Sequence, residues 1–229
     1  MRDYISISQA DKYDRCPRAY WWGYVAGVWP PAADVLAFGR NYHEWVAYYH
    51  GGRQPYKALR RDVAPLVTAY KERFAPPADL IEKEFELEFK DPDTGRPLGL
   101  KIKGVIDLIK DGWIIEHKTA SRLYDQSIAD HTDQATLYSY AYRKIFGKKE
   151  KGIEYRIILK TYPKRGKPPI QVLRTQRGIE DFASLHYQMK EVVKAIKNQE
   201  FAMDFAGCFH KQFGKCPYYE VCKQVIYPR

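Results

Sequence analysis

The sequence contains no run of apolar residues long enough to span a membrane. Its first residues, Met1-Arg2-Asp3-Tyr4, are polar and lack the hydrophobic core of a signal peptide, so we expect an intracellular, cytoplasmic location. There is no internal repeat and no low-complexity segment, so a repeat architecture is not expected. Cysteine is scarce, with four among 229 residues. In a reducing compartment these four are more typical of thiols, metal ligands or catalytic groups than of disulfides.

Acidic residues are outnumbered by basic ones, 28 to 38, which leaves a net charge of +10. This excess favours a polyanionic partner, although basicity alone does not separate DNA from RNA or a membrane surface. The chain also has 19 Tyr and 5 Trp, whose rings could stack on unpaired bases as well as fill a core. Its hydrophobic content of 45% is enough for a sizeable core and indicates a globular protein.

The stretch KGVIDLIKDGWIIEHK, residues 103–118, predicts a β-hairpin. Two apolar, β-branched runs flank Asp111-Gly112, a dipeptide that favours a two-residue type I′ turn. With this turn the register places Asp107 opposite Glu116, so the two carboxylates share one face of the sheet. Because side chains alternate along a strand, Lys118 also lies on that face, whereas Ile115 and His117 point the other way.

Two opposed carboxylates are unfavourable unless a cation lies between them, and oxygen ligands of this kind suit Mg²⁺ or Mn²⁺. Lys118 could then orient or deprotonate a water, or neutralise charge that develops on a phosphate. The alternative is a hairpin whose charged face is simply solvated, since a motif this short occurs by chance.

The order of predicted elements indicates an α/β fold, with a central mixed sheet flanked by helices. A helical N-terminal region precedes a three-strand meander, which is followed by a helix, two strands, a long helix and an irregular tail. The predicted helices cover about 5–25, 35–49, 56–74, 133–146 and 178–198, and the predicted strands cover about 81–89, 100–109, 113–115, 154–161 and 170–174.

The four cysteines can form one site if the two ends of the chain meet. Cys208, Cys216 and Cys222 lie in the tail, and Cys16 lies near the start. Four thiolates in a reducing cell suit an iron–sulfur cluster or a structural zinc ion, and composition does not separate the two. The alternative is four separate buried thiols.

Five motifs occur in order along nearly the whole chain. They are SISQADKYDRCPRAYWW, Phe38-Gly39-x-x-x-His43, GVIDLI…IIEHKT, Gln134-x-x-x-Tyr138 and CFHKQFGKCPYYEVC. Together they resemble the RecB-like exonucleases of the PD-(D/E)XK nuclease superfamily, in particular the iron–sulfur branch with CRISPR-adaptation nucleases and phage exonucleases.

The resemblance implies a role for each matching residue. Asp107, Glu116 and Lys118 would be catalytic, and Gln134 and Tyr138 would hold the lysine or the scissile strand. The implied ligands of Mg²⁺ or Mn²⁺ are His43, Asp107, Glu116 and the backbone carbonyl of His117. The implied ligands of a 4Fe–4S cluster, with zinc as the alternative metal, are Cys16, Cys208, Cys216 and Cys222.

We therefore expect a metal-dependent DNA exonuclease that acts on DNA ends, single-stranded or frayed, in recombination, repair or end processing. Its location would be the host cytoplasm if the source is a virus. We expect one nuclease domain over 1–229, with a catalytic core at about 80–175 and the cluster joining 5–25 to the tail at 200–229. Basic segments such as Lys57–Arg61 and Lys164–Lys167 could follow the DNA backbone. The alternatives are an end-processing subunit of an integrase or recombinase complex and an inactive DNA-binding module.

Overall fold

The computed structural model describes residues 3–30, 34–90, 94–163, 165–210 and 214–226. Parts of two predicted features lie outside these residues. They are Lys164 of the second basic segment, and residues 211–213 and 227–229 of the cysteine-bearing tail.

Eight α-helices and eight strands are present in the described chain. The helices are α1 (Ile7–Arg15), α2 (Pro17–Tyr20), α3 (Asp34–Tyr49), α4 (Ala64–Arg73), α5 (Gln126–His131), α6 (Asp133–Phe146), α7 (Ile179–Lys197) and α8 (Tyr219–Ile226). The strands are β1 (Tyr4–Ile5), β2 (Leu80–Lys90), β3 (Pro97–Lys110), β4 (Trp113–Ala120), β5 (Gly152–Leu159), β6 (Ile170–Thr175), β7 (Phe209–His210) and β8 (Gly214–Lys215). A π-helical turn (Trp21–Val25) and a 3₁₀ turn (Ala206–Cys208) complete the set.

A mixed six-stranded sheet flanked by helices confirms the predicted fold class. Its order is β1-β3-β4-β5-β6, and β2 also pairs with β3. The pairs β1–β3 and β4–β5 are parallel, whereas β3–β4 and β5–β6 are antiparallel. The predicted three-strand meander corresponds to β2, β3 and β4.

The β3–β4 hairpin has the register that the turn dipeptide predicts. Asp111 and Gly112 both have positive φ angles, 51° and 78°, as a type I′ turn requires. The paired residues are Leu108 with Ile115, Ile109 with Ile114 and Lys110 with Trp113.

The chain divides into two compact units. The first unit comprises residues 1–31, 86–103 and 183–229, and the second comprises residues 32–85 and 104–182. In the first, the rings of Tyr20 and Phe201 stack with centroids 6.2 Å apart, and the Tyr13 hydroxyl donates a hydrogen bond to the Glu200 carbonyl. In the second, a buried cluster that includes Tyr42 of α3 and Tyr70 of α4 packs against Ile158 of β5.

The predicted helix over 56–74 begins only at Ala64, so its first eight residues were assigned wrongly. Side chains of α3 occupy the backbone groups that such a helix would use. Asn41 donates to the Ala58 carbonyl and accepts from the Arg60 amide, and Trp45 donates to the Lys57 carbonyl. Tertiary hydrogen bonds therefore override a weak local preference.

Five short elements have no counterpart in the sequence predictions, and three of them, β7, β8 and α8, lie in the tail that the sequence predicts to be irregular. Residues 4–5 form β1 beside β3, and α5 begins after Asp125, whose carboxylate accepts a hydrogen bond from the Ser127 amide at 2.9 Å. None of the described helices is both long enough and apolar enough to traverse a lipid bilayer.

Candidate functional site

Asp107 lies where β3 and β4 stop pairing. The last pair before it is Leu108 with Ile115, and the Asp107 carboxylate itself accepts a hydrogen bond of 2.8 Å from the His117 amide. The same carboxylate oxygen lies 3.4 Å from Nδ1 of His43 and 3.4 Å from Nδ1 of His117. Helix α3 thus brings the sequence-predicted His43 next to Asp107.

Glu116 and Lys118 project from the same face of β4 and form an ion pair of 2.7 Å. Gln134 of α6 contacts both, because its carbonyl oxygen accepts from Lys118 at 2.7 Å and its amide donates to Glu116 Oε1 at 2.9 Å. The amide also donates to the Tyr138 hydroxyl at 3.0 Å. The predicted Gln-x-x-x-Tyr residues therefore lie one helical turn apart, and Gln134 joins Tyr138 to the predicted carboxylate and lysine.

The charges of this cluster depend on one another. Burial, reinforced by the Asp107 carboxylate, raises the pKa of Glu116 to about 6. Burial opposes ionisation of Asp107, but the imidazoles of His43 and His117 outweigh it and hold the pKa of Asp107 well below its usual range. For Lys118 burial also opposes the charged form, and the Glu116 carboxylate outweighs it and raises the pKa of the ammonium. Lys118 is therefore a cation at neutral pH.

One carboxylate oxygen of this cluster indicates a binding site for a cation. Glu116 Oε2 is buried and has no hydrogen-bond partner within the described residues. A buried carboxylate oxygen without a partner is costly, and a hard divalent cation is a partner that satisfies it. Across the described ranges, no three His, Cys, Asp or Glu side chains already have the arrangement of a formed metal site. The carboxylate oxygens of Asp107 and Glu116 are the kind of ligand that a divalent cation would bind.

The hydroxyl of Tyr70, on α4, is the centre of a buried network that the sequence did not reveal. It lies 2.6 Å from Arg156 Nη1, 2.9 Å from His50 Nε2 and 2.9 Å from His117 Nε2. Burial lowers the pKa of His117, and it lowers the pKa of His50 to about 4, so both imidazoles are neutral at pH 7. No local pattern predicts this network, because its members come from distant parts of the sequence.

The proton positions in the network follow from the donor count. Arg156 can only donate, and a neutral imidazole has one N–H. We assign the N–H of His117 to Nδ1, toward Asp107, so that Nε2 accepts the hydrogen of the Tyr70 hydroxyl. His50 then donates from Nε2, and its buried Nδ1 is left without a partner in the described structure, as observed. The network thereby fixes the orientation of the imidazole beside Asp107.

Glu82 is a second residue that the sequence analysis missed. It lines a cavity of about 50 Å³ together with His43, Asp107 and His117. Its φ angle of 46° is unusual for a residue other than glycine, and it interrupts the regular alternation of β2. The alternating Glu84, Glu86 and Glu88 are exposed, as a half-buried strand predicts. The positive φ angle cannot be seen in the sequence.

The four cysteines lie together in the first unit, and all four are free thiols. Cys16 and Cys222 are buried in one apolar cluster with Tyr218, and Cys216 packs against it. Cys208 is joined to Cys216 by a hydrogen bond of 2.7 Å between their backbones. Burial and the three neighbouring thiols raise the pKa of Cys208 to about 11. Among the described residues these thiols do not already form a metal-binding arrangement of three or more ligands, so a shared metal centre stays a prediction.

The two predicted basic segments carry partly neutralised charge. Arg60 forms ion pairs with Asp34 at 2.7 Å and Asp62 at 2.8 Å, and Lys167 pairs with Glu72 at 2.7 Å. Fewer cations of these segments are therefore free for DNA than their composition implies.

The comparisons with known proteins agree with this geometry. Residues 4–223 match the sequence profile of the PD-(D/E)XK nuclease superfamily. The fold is similar to the crystal structure, at 2.19 Å resolution, of a candidate exonuclease from Eubacterium rectale, with a TM-score of 0.59 and 13% sequence identity. That match covers 95% of this chain and 88% of the other. A search of curated proteins gives no significant match.

Proposed function

This chain belongs to the PD-(D/E)XK nuclease superfamily, and we propose that it is a divalent-metal-dependent exonuclease that hydrolyses phosphodiester bonds from DNA ends. The observation that carries this proposal is the buried group of Glu116, Lys118 and Gln134 beside Asp107, in which one carboxylate oxygen has no partner among the described residues. A buried carboxylate oxygen without a partner costs free energy, and a surface that only binds DNA gains nothing that would offset this cost.

Asp107 and Glu116 would hold Mg²⁺ or Mn²⁺, with His43 and the backbone carbonyl of His117 completing the protein ligands. When bound, the cation supplies positive charge that polarises the phosphate and makes water a stronger acid. The Tyr70 network supports this assignment, because it orients the His117 ring toward Asp107. Glu82, which lines the same small cavity, is a further oxygen donor within this part of the site.

Lys118 acts in this site as a fixed cation. Its ammonium is held by Glu116 Oε1 and Gln134 Oε1, both at 2.7 Å, and its raised pKa keeps it protonated. A protonated lysine cannot accept a proton from water, so it orients the attacking water and neutralises charge on the phosphoryl oxygens. Gln134 and Tyr138 position the lysine rather than the DNA strand, since their hydrogen bonds run to Glu116, Lys118 and each other.

Cys16, Cys208, Cys216 and Cys222 would bind a 4Fe–4S cluster with a structural role. The burial of Cys16, Cys208 and Cys222, and the packing of Cys216 against the cluster of Cys16 and Cys222, support this assignment. Protein purified without oxygen should be brown and contain about four iron atoms per chain. A colourless protein that contains zinc would replace the cluster with a structural zinc site.

The test of the enzymatic role uses end-labelled linear DNA and closed circular DNA, each single- and double-stranded, with Mg²⁺, Mn²⁺ or EDTA. Glu116→Gln is compared with Glu84→Gln, which makes the same change at an exposed position of β2. We expect metal-dependent loss of linear DNA only, abolished in Glu116→Gln and unchanged in Glu84→Gln. Cleavage of circular DNA would make the enzyme an endonuclease. Binding of every DNA without degradation would contradict the hydrolytic role of this chain alone.

A further inference from the structure

A second cavity, of about 720 Å³, lies in the second unit and contains none of the proposed catalytic residues or metal ligands, although Arg156 of its lining also belongs to the Tyr70 network. On β4 it is lined by Trp113 and Ile115, which alternate with Glu116 and therefore point to the opposite face of the sheet. Among the described residues, the charged side chains of this lining are Arg73, Lys110, Asp111, Glu154, Arg156 and Arg174, and Phe74 and Trp113 contribute aromatic rings.

Cations outnumber carboxylates in this lining, four to two. Arg73 and Lys110 approach from the end of α4 and from the hairpin. Each donates to a backbone carbonyl at 2.6 Å, that of Ile170 for Arg73 and that of Ala75 for Lys110, and neither has a carboxylate partner in the described parts of the chain. Their charges are therefore held in place but not neutralised, so the cavity attracts anions.

The other two cations are stacked on aromatic rings. The Arg156 guanidinium lies 3.9 Å from the ring centre of Phe74, and that of Arg174 lies 4.8 Å from that of Trp113. The buried Glu154 accepts hydrogen bonds of 2.8 to 2.9 Å from both arginines and fixes their planes. One terminal nitrogen of each guanidinium, Nη2 of Arg156 and Nη1 of Arg174, has no hydrogen-bond partner within the described residues. Pre-organised guanidinium groups with spare donors are typical of phosphate recognition.

From these features we infer that the cavity binds a nucleoside 5′-monophosphate, either free or as the 5′ end of a DNA strand. The cations come from α4, the hairpin, β5 and β6 and surround one cavity, an arrangement that suits a compact dianion better than an extended backbone. A base can stack on the exposed guanidinium plane of Arg174, as bases do on arginine in nucleic-acid complexes. The cavity volume is within the range of about 300–1,000 Å³ that small ligands occupy.

The binding experiment uses calorimetric titration in EDTA, so that the carboxylates of Asp107 and Glu116 repel phosphate from the other site. The probes are dTMP, thymidine, inorganic phosphate, and hexathymidylate with and without a 5′-phosphate. The variants are Arg73→Gln and Lys110→Gln. Lys148→Gln is the matched control, because it removes the same charge from an exposed position outside the cavity. Thermal unfolding of each variant verifies that it is folded.

We expect dTMP to bind at least about tenfold more tightly than thymidine or inorganic phosphate, and each cavity variant to lose about tenfold in affinity. Lys148→Gln should bind as the unmodified protein does. Stronger binding of the 5′-phosphorylated hexamer than of dTMP identifies the strand end as the source, and equal binding identifies the free nucleotide. The inference is overturned if thymidine binds as well as dTMP, or if Lys148→Gln loses as much affinity as Arg73→Gln. Glu116→Gln, which disables the proposed hydrolysis, should bind dTMP normally, so the two proposals can fail separately.

Discussion

The carboxylate of Glu116 and the ammonium of Lys118 are 2.7 Å apart, on the same face of β4. Gln134 is hydrogen-bonded to both. The lysine is therefore held by two oxygens at once, and its position does not depend on bound substrate. Removal of either charge leaves the other buried without its partner.

Replacement of Lys118 should lower the rate of DNA hydrolysis much more than it lowers the stability of the fold. Lys118→Met is expected to lower the rate of DNA hydrolysis by about 10²–10³-fold, as for the loss of one fixed electrostatic contact in an active site. The measurement is single-turnover cleavage of end-labelled DNA with saturating Mg²⁺. Lys148→Met, at an exposed position, is the control. Retention of more than a tenth of the rate by Lys118→Met would be inconsistent with its role.

Metal affinity should fall in acid. Glu116 has a pKa raised to about 6 in the absence of metal, and a divalent cation binds only the ionised carboxylate. His43 must lose a proton as well, because burial opposes its charged form but the Asp107 carboxylate outweighs burial and raises the pKa of this imidazole. Binding should therefore release protons from both ligands, and affinity should fall by at least about tenfold per pH unit below 6. Calorimetric titration with Mn²⁺ from pH 5 to 7.5, in buffers of different ionisation enthalpy, measures both quantities. Affinity that does not change over this range would rule out Glu116 as a ligand.

The two buried tyrosines of the second unit should respond oppositely to loss of the hydroxyl. Tyr70→Phe removes the partner of Arg156, His50 and His117 and should lower the free energy of unfolding by about 2–3 kcal/mol. Tyr42→Phe removes a buried hydroxyl that has no partner within the described structure, so it should be neutral or slightly stabilising. Urea unfolding of both variants gives the comparison. Equal destabilisation of the two variants would mean that the Tyr70 network contributes nothing to the free energy of unfolding.

The same Tyr70 variant should weaken Mn²⁺ binding, whereas Tyr42→Phe should not. Outer-shell hydrogen bonds typically contribute about 10- to 100-fold in metal affinity. In nitrogen NMR spectra, His117 should change from the single Nδ1–H tautomer to a mixture in Tyr70→Phe. An unchanged tautomer would show that Asp107 alone orients this ring.

The free energy of unfolding should depend on pH through Glu150, which has no role in the proposed active site. Burial opposes its ionisation, but hydrogen bonds from Arg143 and Ser139 outweigh that effect and lower its pKa below the ordinary value of 4.5. A lowered folded-state pKa stabilises the protein above the unfolded-state value, and this contribution is lost as the pH falls through the folded-state value. Glu150→Gln should therefore cost about 2 kcal/mol at pH 7 and progressively less below pH 4.5. A cost that stays constant down to pH 3 would contradict this.

Local sequence patterns predicted the hairpin and the cluster on it. The Asp111-Gly112 turn determines which residues of β3 and β4 pair, and alternation then places Glu116 and Lys118 together. Helical spacing likewise places Gln134 and Tyr138 on one side of α6. These relationships involve few residues close in sequence, so the backbone geometry alone defines them.

The remainder of the site depends on contacts between distant elements. Tyr70 is 47 positions from His117 and 86 from Arg156, and nothing in the periodicity of α4 distinguishes it from an ordinary core tyrosine. Asp107 also departs from the predicted pairing, since its carboxylate bonds to the His117 amide instead of lying in a ladder pair. Crossing positions of helices over a sheet depend on tertiary packing, which a single sequence does not encode in any local pattern.

The first compact unit is built from three separate pieces of the chain, and this affects the order of events during synthesis. Tyr13 and Tyr20 meet Glu200 and Phe201 only after about 180 further residues have been translated. At a translation rate of about 5–20 residues per second, the partners of the N-terminal segment are synthesised roughly 10–40 s after it. During that time its aromatic side chains are exposed to chaperones and proteases, whereas residues 32–85 and 104–182, which form the second unit, are already complete and can fold first.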